Sequence, residues 1–245
     1  MATAFFWGLL ATSSLIIGGI ICSLFDLNKR VLGIIMAFGA GTLISAVSYE
    51  LIFEAVKLGK GTGFPATGLF AGAFTFYFCE RLIGQMGTHE PITIGATQSN
   101  LLIPMVLAII LDGIPESIVI GLGFYKEGTI SIAMFMAVFI SNLPEAIAGT
   151  TGMKSSGWSR KKITLLWLII AVVCAIATVA GFILFRNTSV TWLSFIQAFA
   201  GGAILIMLAN SMIPESYEHG GKLAGIFTVL GFFVSVYIVI FENSP

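Results

Sequence analysis

The chain has 245 residues, 57% of them hydrophobic and 10% charged, with twelve Lys plus Arg balancing twelve Asp plus Glu, and its mean hydropathy is +1.01. A soluble domain carries about a quarter charged residues, so this composition excludes a globule covered by water and marks an integral membrane protein. The absence of net positive charge and of any Lys/Arg-rich block excludes a nucleic-acid binder.

A helix needs about 20 mainly apolar residues to cross the hydrocarbon. Eight such stretches run near 5–25, 31–56, 64–84, 101–125, 130–151, 163–185, 190–216 and 223–241, which predicts an all-α membrane protein with the chain 1–245 as one transmembrane domain. The first stretch is too long, and too poor in basic residues at its start, for a cleaved signal peptide. The linkers are short and hold turn residues such as Gly59-Lys60-Gly61, Ser155-Ser156-Gly157 and Gly220-Gly221, and only 85–100 is longer. Cys22, Cys79 and Cys174 lie in apolar runs with no redox or zinc spacing and read as free structural thiols.

Basic residues set an expected orientation. Loops one, three, five and seven carry or adjoin eight of them (Lys29, Arg30, Arg81, Lys154, Arg160, Lys161, Lys162, Lys222), against Lys57, Lys60, Lys126 and Arg186 on the other side. By the positive-inside rule the odd loops are cytoplasmic and both termini extracytoplasmic. Within this frame a repeat appears. Ala37-Phe38-Gly39-Ala40-Gly41-Thr42 of span two matches Ala198-Phe199-Ala200-Gly201-Gly202-Ala203 of span seven, and the same offset aligns Glu54 with Glu215 and Gly59 with Gly220. The two spans run in opposite directions, so the copies are inverted, a common construction in secondary transporters.

The acids fall in two groups. Asp26, Glu80, Glu90, Glu127, Glu218 and Glu242 lie at loops or span ends, whereas Glu50, Glu54, Asp112, Glu116, Glu145 and Glu215 lie in the spans or within about a turn of their ends. An acid at a helix centre costs about 2.5–3.5 kcal/mol to insert. No Lys or Arg lies deep in a span to pair with them, so these carboxylates are expected to be protonated, to meet water, or to bind a cation. Span four contains Asp112-Gly113-Ile114-Pro115-Glu116-Ser117 and span five Ser141-Asn142-Leu143-Pro144-Glu145-Ala146. In each, an oxygen-bearing side chain and a Glu four residues on share one face, and the proline frees a backbone carbonyl beside them. Oxygen ligands at a distorted helix suit a divalent cation if the two helices face each other. His89 and His219 fall in loops and read as solvated.

These motifs resemble the ZIP family of divalent metal transporters, whose fourth and fifth helices carry a His-Asn-x-Pro-Glu-Gly type signature. The match lies at Ile114-Pro115-Glu116 and Asn142-Leu143-Pro144-Glu145, with Ile213-Pro214-Glu215 as support. The resemblance implies eight helices with inverted outer repeats, a homodimer, and a transport site of Asp112, Glu116, Ser141, Asn142 and Glu145; the membrane is expected to be a plasma or bacterial inner membrane. Glu50 would then lie on the outer approach and Glu215 on the inner exit. There are departures. Asp112 replaces the usual His, Ser141 stands where His, Gln or Glu is common, Gly113 replaces a residue able to bridge a second metal, and Ser117 and Ala146 replace the glycines.

An all-oxygen site suits Mn²⁺, Fe²⁺, Mg²⁺ or Ca²⁺ better, relative to Zn²⁺, than one containing imidazole, without excluding zinc. The expectation is a carrier that moves a divalent metal such as zinc, manganese or iron into the cytoplasm, with the metal as cargo and no cofactor, in contact with lipid and with no nucleic acid partner. Beside it stands a membrane metal sensor or interaction protein that kept the fold without transport. An intramembrane metalloprotease lacks its His-Glu-x-x-His pattern here.

Overall fold

The computed structural model describes residues 1–25, 28–86, 102–127, 131–185 and 188–242. Asp26, His89, Glu90, Arg186 and most of the 85–100 connection lie outside the described residues. Eight helices follow one another: α1 (Ala2–Leu24), α2 (Lys29–Leu58), α3 (Phe64–Met86), α4 (Leu102–Glu127), α5 (Ile132–Ser155), α6 (Arg160–Leu184), α7 (Val190–Gly220) and α8 (Lys222–Glu242), with no strand among the described residues. Seven are long and apolar enough to cross a membrane. The one that falls short is α3, because Glu80 and Arg81 interrupt its apolar run. The all-α membrane architecture expected from the sequence is the one observed.

Local chemistry sets the helix ends. The Asn28 side chain accepts from Arg30 N at 2.8 Å at the start of α2, and Ser131 from Met134 N at 3.2 Å at the start of α5, each meeting a donor that the helix itself leaves orphaned. Gly61, Gly157 and Gly221 sit at φ +80°, +78° and +61° in the short linkers, where a side chain would strain the backbone. Span seven continues beyond its expected end, so His219 lies in the last turn of α7 rather than in a loop, packed against Gly33 of α2.

The helices sort into two bundles. In one, α1 packs on α5 and α6, and α4 on α6. In the other, α2 packs on α8 and on the end of α7, while α3 packs on α7. The bundles meet chiefly where α2 crosses α5. Trp167 centres the first bundle, fully buried against Gly19, its Nε1 donating to Thr150 Oγ1 at 2.8 Å. The second bundle carries the inverted repeat in its packing. A Cβ on Gly41 would strike the Thr228 carbonyl of α8, and one on Gly231 the Phe38 carbonyl of α2. The equivalent pair, Gly202 and Gly72, meets the Leu69 and Phe199 carbonyls between α7 and α3. Four glycines thus bring two helix pairs to backbone contact, the small-residue packing that membrane helices use in place of a hydrophobic drive.

The repeat reaches the hydrogen-bond pattern too. At the same register, α2 opens into a π-helical segment at Val47–Phe53 and α7 at Leu208–Met212. Such segments interrupt the regular ladder and often mark functional sites. Each is followed within a few residues by an acid, Glu54 in α2 and Glu215 in α7.

Candidate metal centre

Pro115 and Pro144 both lie within helices, α4 and α5, which touch each other. Glu116 is 1% exposed, and neither of its carboxylate oxygens makes a well-formed hydrogen bond, although the Ser141 hydroxyl is near enough to interact with it. Around it, Ser117 Oγ, Asn142 Nδ2 and Glu145 Oε2 are also buried without partners. Ser141 is fully buried and its hydroxyl donates to Val138 O at 3.0 Å, which leaves the oxygen's lone pairs available. Glu145 is within electrostatic reach of Asp112, Glu116 and Glu215.

Buried polar groups without partners are rare, because each forfeits its hydration for nothing. A buried carboxylate must be neutralised by a proton or met by a cation. Among the described residues, no three His, Cys, Asp or Glu side chains already stand as a ligand cluster. An ion would therefore have to draw Asp112, Glu116 and Glu145 inward. The Ser141 and Asn142 oxygens would complete an oxygen set of the kind that hard cations take.

A cavity of about 360 Å³ reaches Asp112 and Glu145 from the end of the bundle bearing the odd-numbered loops. Asp112 and Glu145 lie on its wall, joined by Glu80, Glu215 and Glu218. The sequence places Glu80 among the acids at loops or span ends. In the structure its Oε2 accepts from Asn210 Nδ2 at 2.8 Å, tying α3 to the π-helical segment of α7. The available signal was the position of Glu80 within the apolar stretch 64–84.

At the opposite end a much smaller pocket, about 40 Å³, is lined by Glu50, Glu54, Gln197 and Ser131 among others. Here one expectation is corrected. Glu54 does have a basic partner, Lys57 Nζ at 2.8 Å, one turn on, where α2 nears its end and a lysine can reach water. The site residues foreseen from sequence therefore divide three ways. Asp112, Glu145 and Glu215 lie on the wall of the large cavity, Glu116, Ser141 and Asn142 are buried within α4 and α5, and Glu50 and Glu54 lie in the small pocket.

The fold defines a polytopic helical membrane protein with carboxylates buried in its α4 and α5 helices. The chain is similar to proteins named zinc transporters: GufA of Myxococcus xanthus, 25% identical over 80% of each chain, and ZupT of Chlorobaculum parvum, 27% identical over 80% of each chain. An Arabidopsis thaliana protein provisionally named a zinc transporter is 23% identical over 79% of this chain, which spans only 31% of that protein's length. No family model matches. The resemblance to the ZIP family thus extends over about four-fifths of the chain and is not confined to the two proline motifs.

Proposed function

We propose that this protein carries a divalent metal cation across the membrane, with α4 and α5 supplying the site. One observation carries the proposal: Glu116 is buried with neither oxygen in a well-formed hydrogen bond, one turn along α4 from Asp112, which lines a cavity together with four further carboxylates. Similarity to proteins named zinc transporters supports it. Asp112, Glu116 and Glu145 take the ion, and Ser141 and Asn142 complete its shell.

The odd-loop end, richer in Lys and Arg, is the cytoplasmic one, so the large cavity opens inward and Glu215 lines the exit. Transport is by alternating access, with the bundle of α1, α4, α5 and α6 rocking against the bundle of α2, α3, α7 and α8. Gly41 and Gly202 are locked against partners inside their own bundle, so the moving contact falls at Gly39, which faces the Ser141 backbone across the bundle boundary. Three acids around one divalent ion leave the site anionic, and proton competition for these carboxylates assists release.

The relatives' names point to zinc, while the oxygen set widens the choice toward Mn²⁺ and Fe²⁺. Asp112→His should move the ranking toward Zn²⁺. An unchanged Mn²⁺, Fe²⁺ and Zn²⁺ order would refute the role of Asp112 in selection. Uptake into sealed vesicles separates the carrier from a sensor that binds metal without moving it.

A further inference from the structure

We propose that Glu242 is a latch between the two bundles: its carboxylate, carried by α8, caps the start of α5 and holds the small-pocket end of the molecule shut. The proposal rests on the alternating-access reading above and adds the contact that must break before that end can open.

Side-chain bonds inside a bundle join helices that move together. Thr12 donates to Ala171 O between α1 and α6, Ser194 to Ala55 O between α7 and α2, and Asn210 to Glu80 between α7 and α3. The bonds of Glu242 cross the boundary. α8 belongs to one bundle and α5 to the other, and the two helices touch. Ile132 N donates to Glu242 Oε1 at 2.6 Å, Ala133 N to Oε2 at 3.2 Å, and the Ser131 hydroxyl to Oε2 at 3.4 Å.

Electrostatics identify the helix that the acid serves. Glu242 is the last residue of α8, where the helix dipole disfavours an anion, and it sits at the first turn of α5, where the dipole favours one. The first N–H groups of α5 have no acceptor within the helix. Ser131 Oγ takes the Met134 N–H at 3.2 Å, and Glu242 takes the two before it. The cap of α5 is therefore completed by the opposite bundle and is whole only while the bundles are together at this end.

The latch lies where opening has to happen. The small pocket is bounded by Val119, Ser131 and Met134 of one bundle and by Glu50 of the other, and Ser131 is both a wall residue and a partner of Glu242. Its volume of about 40 Å³ leaves room for about one water, whereas the cavity at the opposite end has about 360 Å³. An ion reaches the α4 and α5 carboxylates from the narrow side once the bundles part. Gly231 of α8 lies against the Phe38 carbonyl of α2, which keeps α8 with its own bundle, so the separation falls on the Glu242 bonds.

The test uses the full chain with its native cysteines replaced, purified in detergent so that both ends are accessible. It reads the rate at which a soluble methanethiosulfonate modifies Met134→Cys in the small pocket or Ser211→Cys in the large cavity. Glu242→Ala should speed the reaction at Met134→Cys about fivefold, the scale of one charged helix cap, and should slow it at Ser211→Cys. Glu242→Gln, which keeps one acceptor oxygen without the charge, should fall between the two. A faster rate at Met134→Cys with Ser211→Cys unchanged means that α5 merely frays at its start, and overturns the latch. Faster reaction at both positions marks loosened packing and overturns it as well, as does indifference at Met134→Cys. Flux in proteoliposomes separates the two readings: metal entry without the opposed rate changes refutes the latch alone, and opposed rate changes in a protein whose wild type moves no metal refute the transport reading alone.

Discussion

The two ends of the molecule are built from the same repeated segment and have become different environments. At one end Glu50, Leu51 and Glu54 of α2 line a pocket of about 40 Å³. At the other their counterparts Ser211, Met212 and Glu215 of α7 line a cavity of about 360 Å³. The shared acid sits at one register in both, just past a π-helical segment. The neighbours differ. Lys57 pairs with Glu54, whereas the matching position in α7 holds Glu218, another acid on the cavity wall. One end is small, with a lysine beside one of its acids, and the other is wide, with a further acid at the matching position. The lesson is that a shared backbone frame sets where the acids go, while the residue one turn later sets whether they attract or screen a cation.

Substitutions can break or sharpen this contrast. The largest effect is expected at the glycine contacts that hold the frame. Gly41→Leu and Gly202→Leu each drive a side chain into a neighbouring carbonyl, where overpacking costs about 1–3 kcal/mol or more because backbone cannot yield cheaply. Both should lower the melting temperature in detergent by similar amounts, and a large loss at one position only would show that the two helix pairs are not equivalent supports.

Next comes accessibility. With the native cysteines replaced, Ser211→Cys should react with a soluble thiol reagent at least tenfold faster than Glu50→Cys at the matching register, because water fills the larger cavity; equal rates would erase the contrast. A membrane-impermeant reagent used on oriented vesicles would also fix which end faces the cytoplasm.

A severalfold effect is expected from Glu218→Lys, which gives the wide end the cation that the narrow end owns. Metal flux should fall as the local potential becomes less negative, most visibly at low salt. Flux that is unchanged at low salt would show that the wall charge is idle.

The smallest effect concerns Glu242 at the end of α8. Its carboxylate accepts from Ile132 N at 2.6 Å, Ala133 N at 3.2 Å and Ser131 Oγ at 3.4 Å, capping α5 at the rim of the small pocket. Glu242→Ala removes a favourable charge at a helix N-terminus and should cost about 1 kcal/mol. A melting temperature equal to wild type would show that water caps α5 equally well.

Much of this architecture is legible in the sequence because the bilayer imposes a length that apolar runs must meet, and because Gly61, Gly157 and Gly221 punctuate them. The centre is legible for a related reason. Acids inside apolar helices are costly, so Asp112, Glu116 and Glu145 stand out against their surroundings. What escaped has physical causes as well. The π-helical segments at Val47–Phe53 and Leu208–Met212 have no local composition that distinguishes them from regular helix. The Glu54–Lys57 pair has the i, i+3 spacing of helix neighbours, but spacing alone does not fix the rotamers that bring two long side chains together at the rim of a span. Glu80 gains its importance only through Asn210, far away in sequence.

The most direct test of the central claim is metal flux into proteoliposomes that hold the full chain, compared with Glu116→Ala and Glu145→Ala proteins of equal yield and monodispersity. A carrier with its site between α4 and α5 predicts saturable Zn²⁺ or Mn²⁺ entry in the wild type and a fall of at least tenfold toward the protein-free background in each variant. Entry at the wild-type rate in either variant would contradict it.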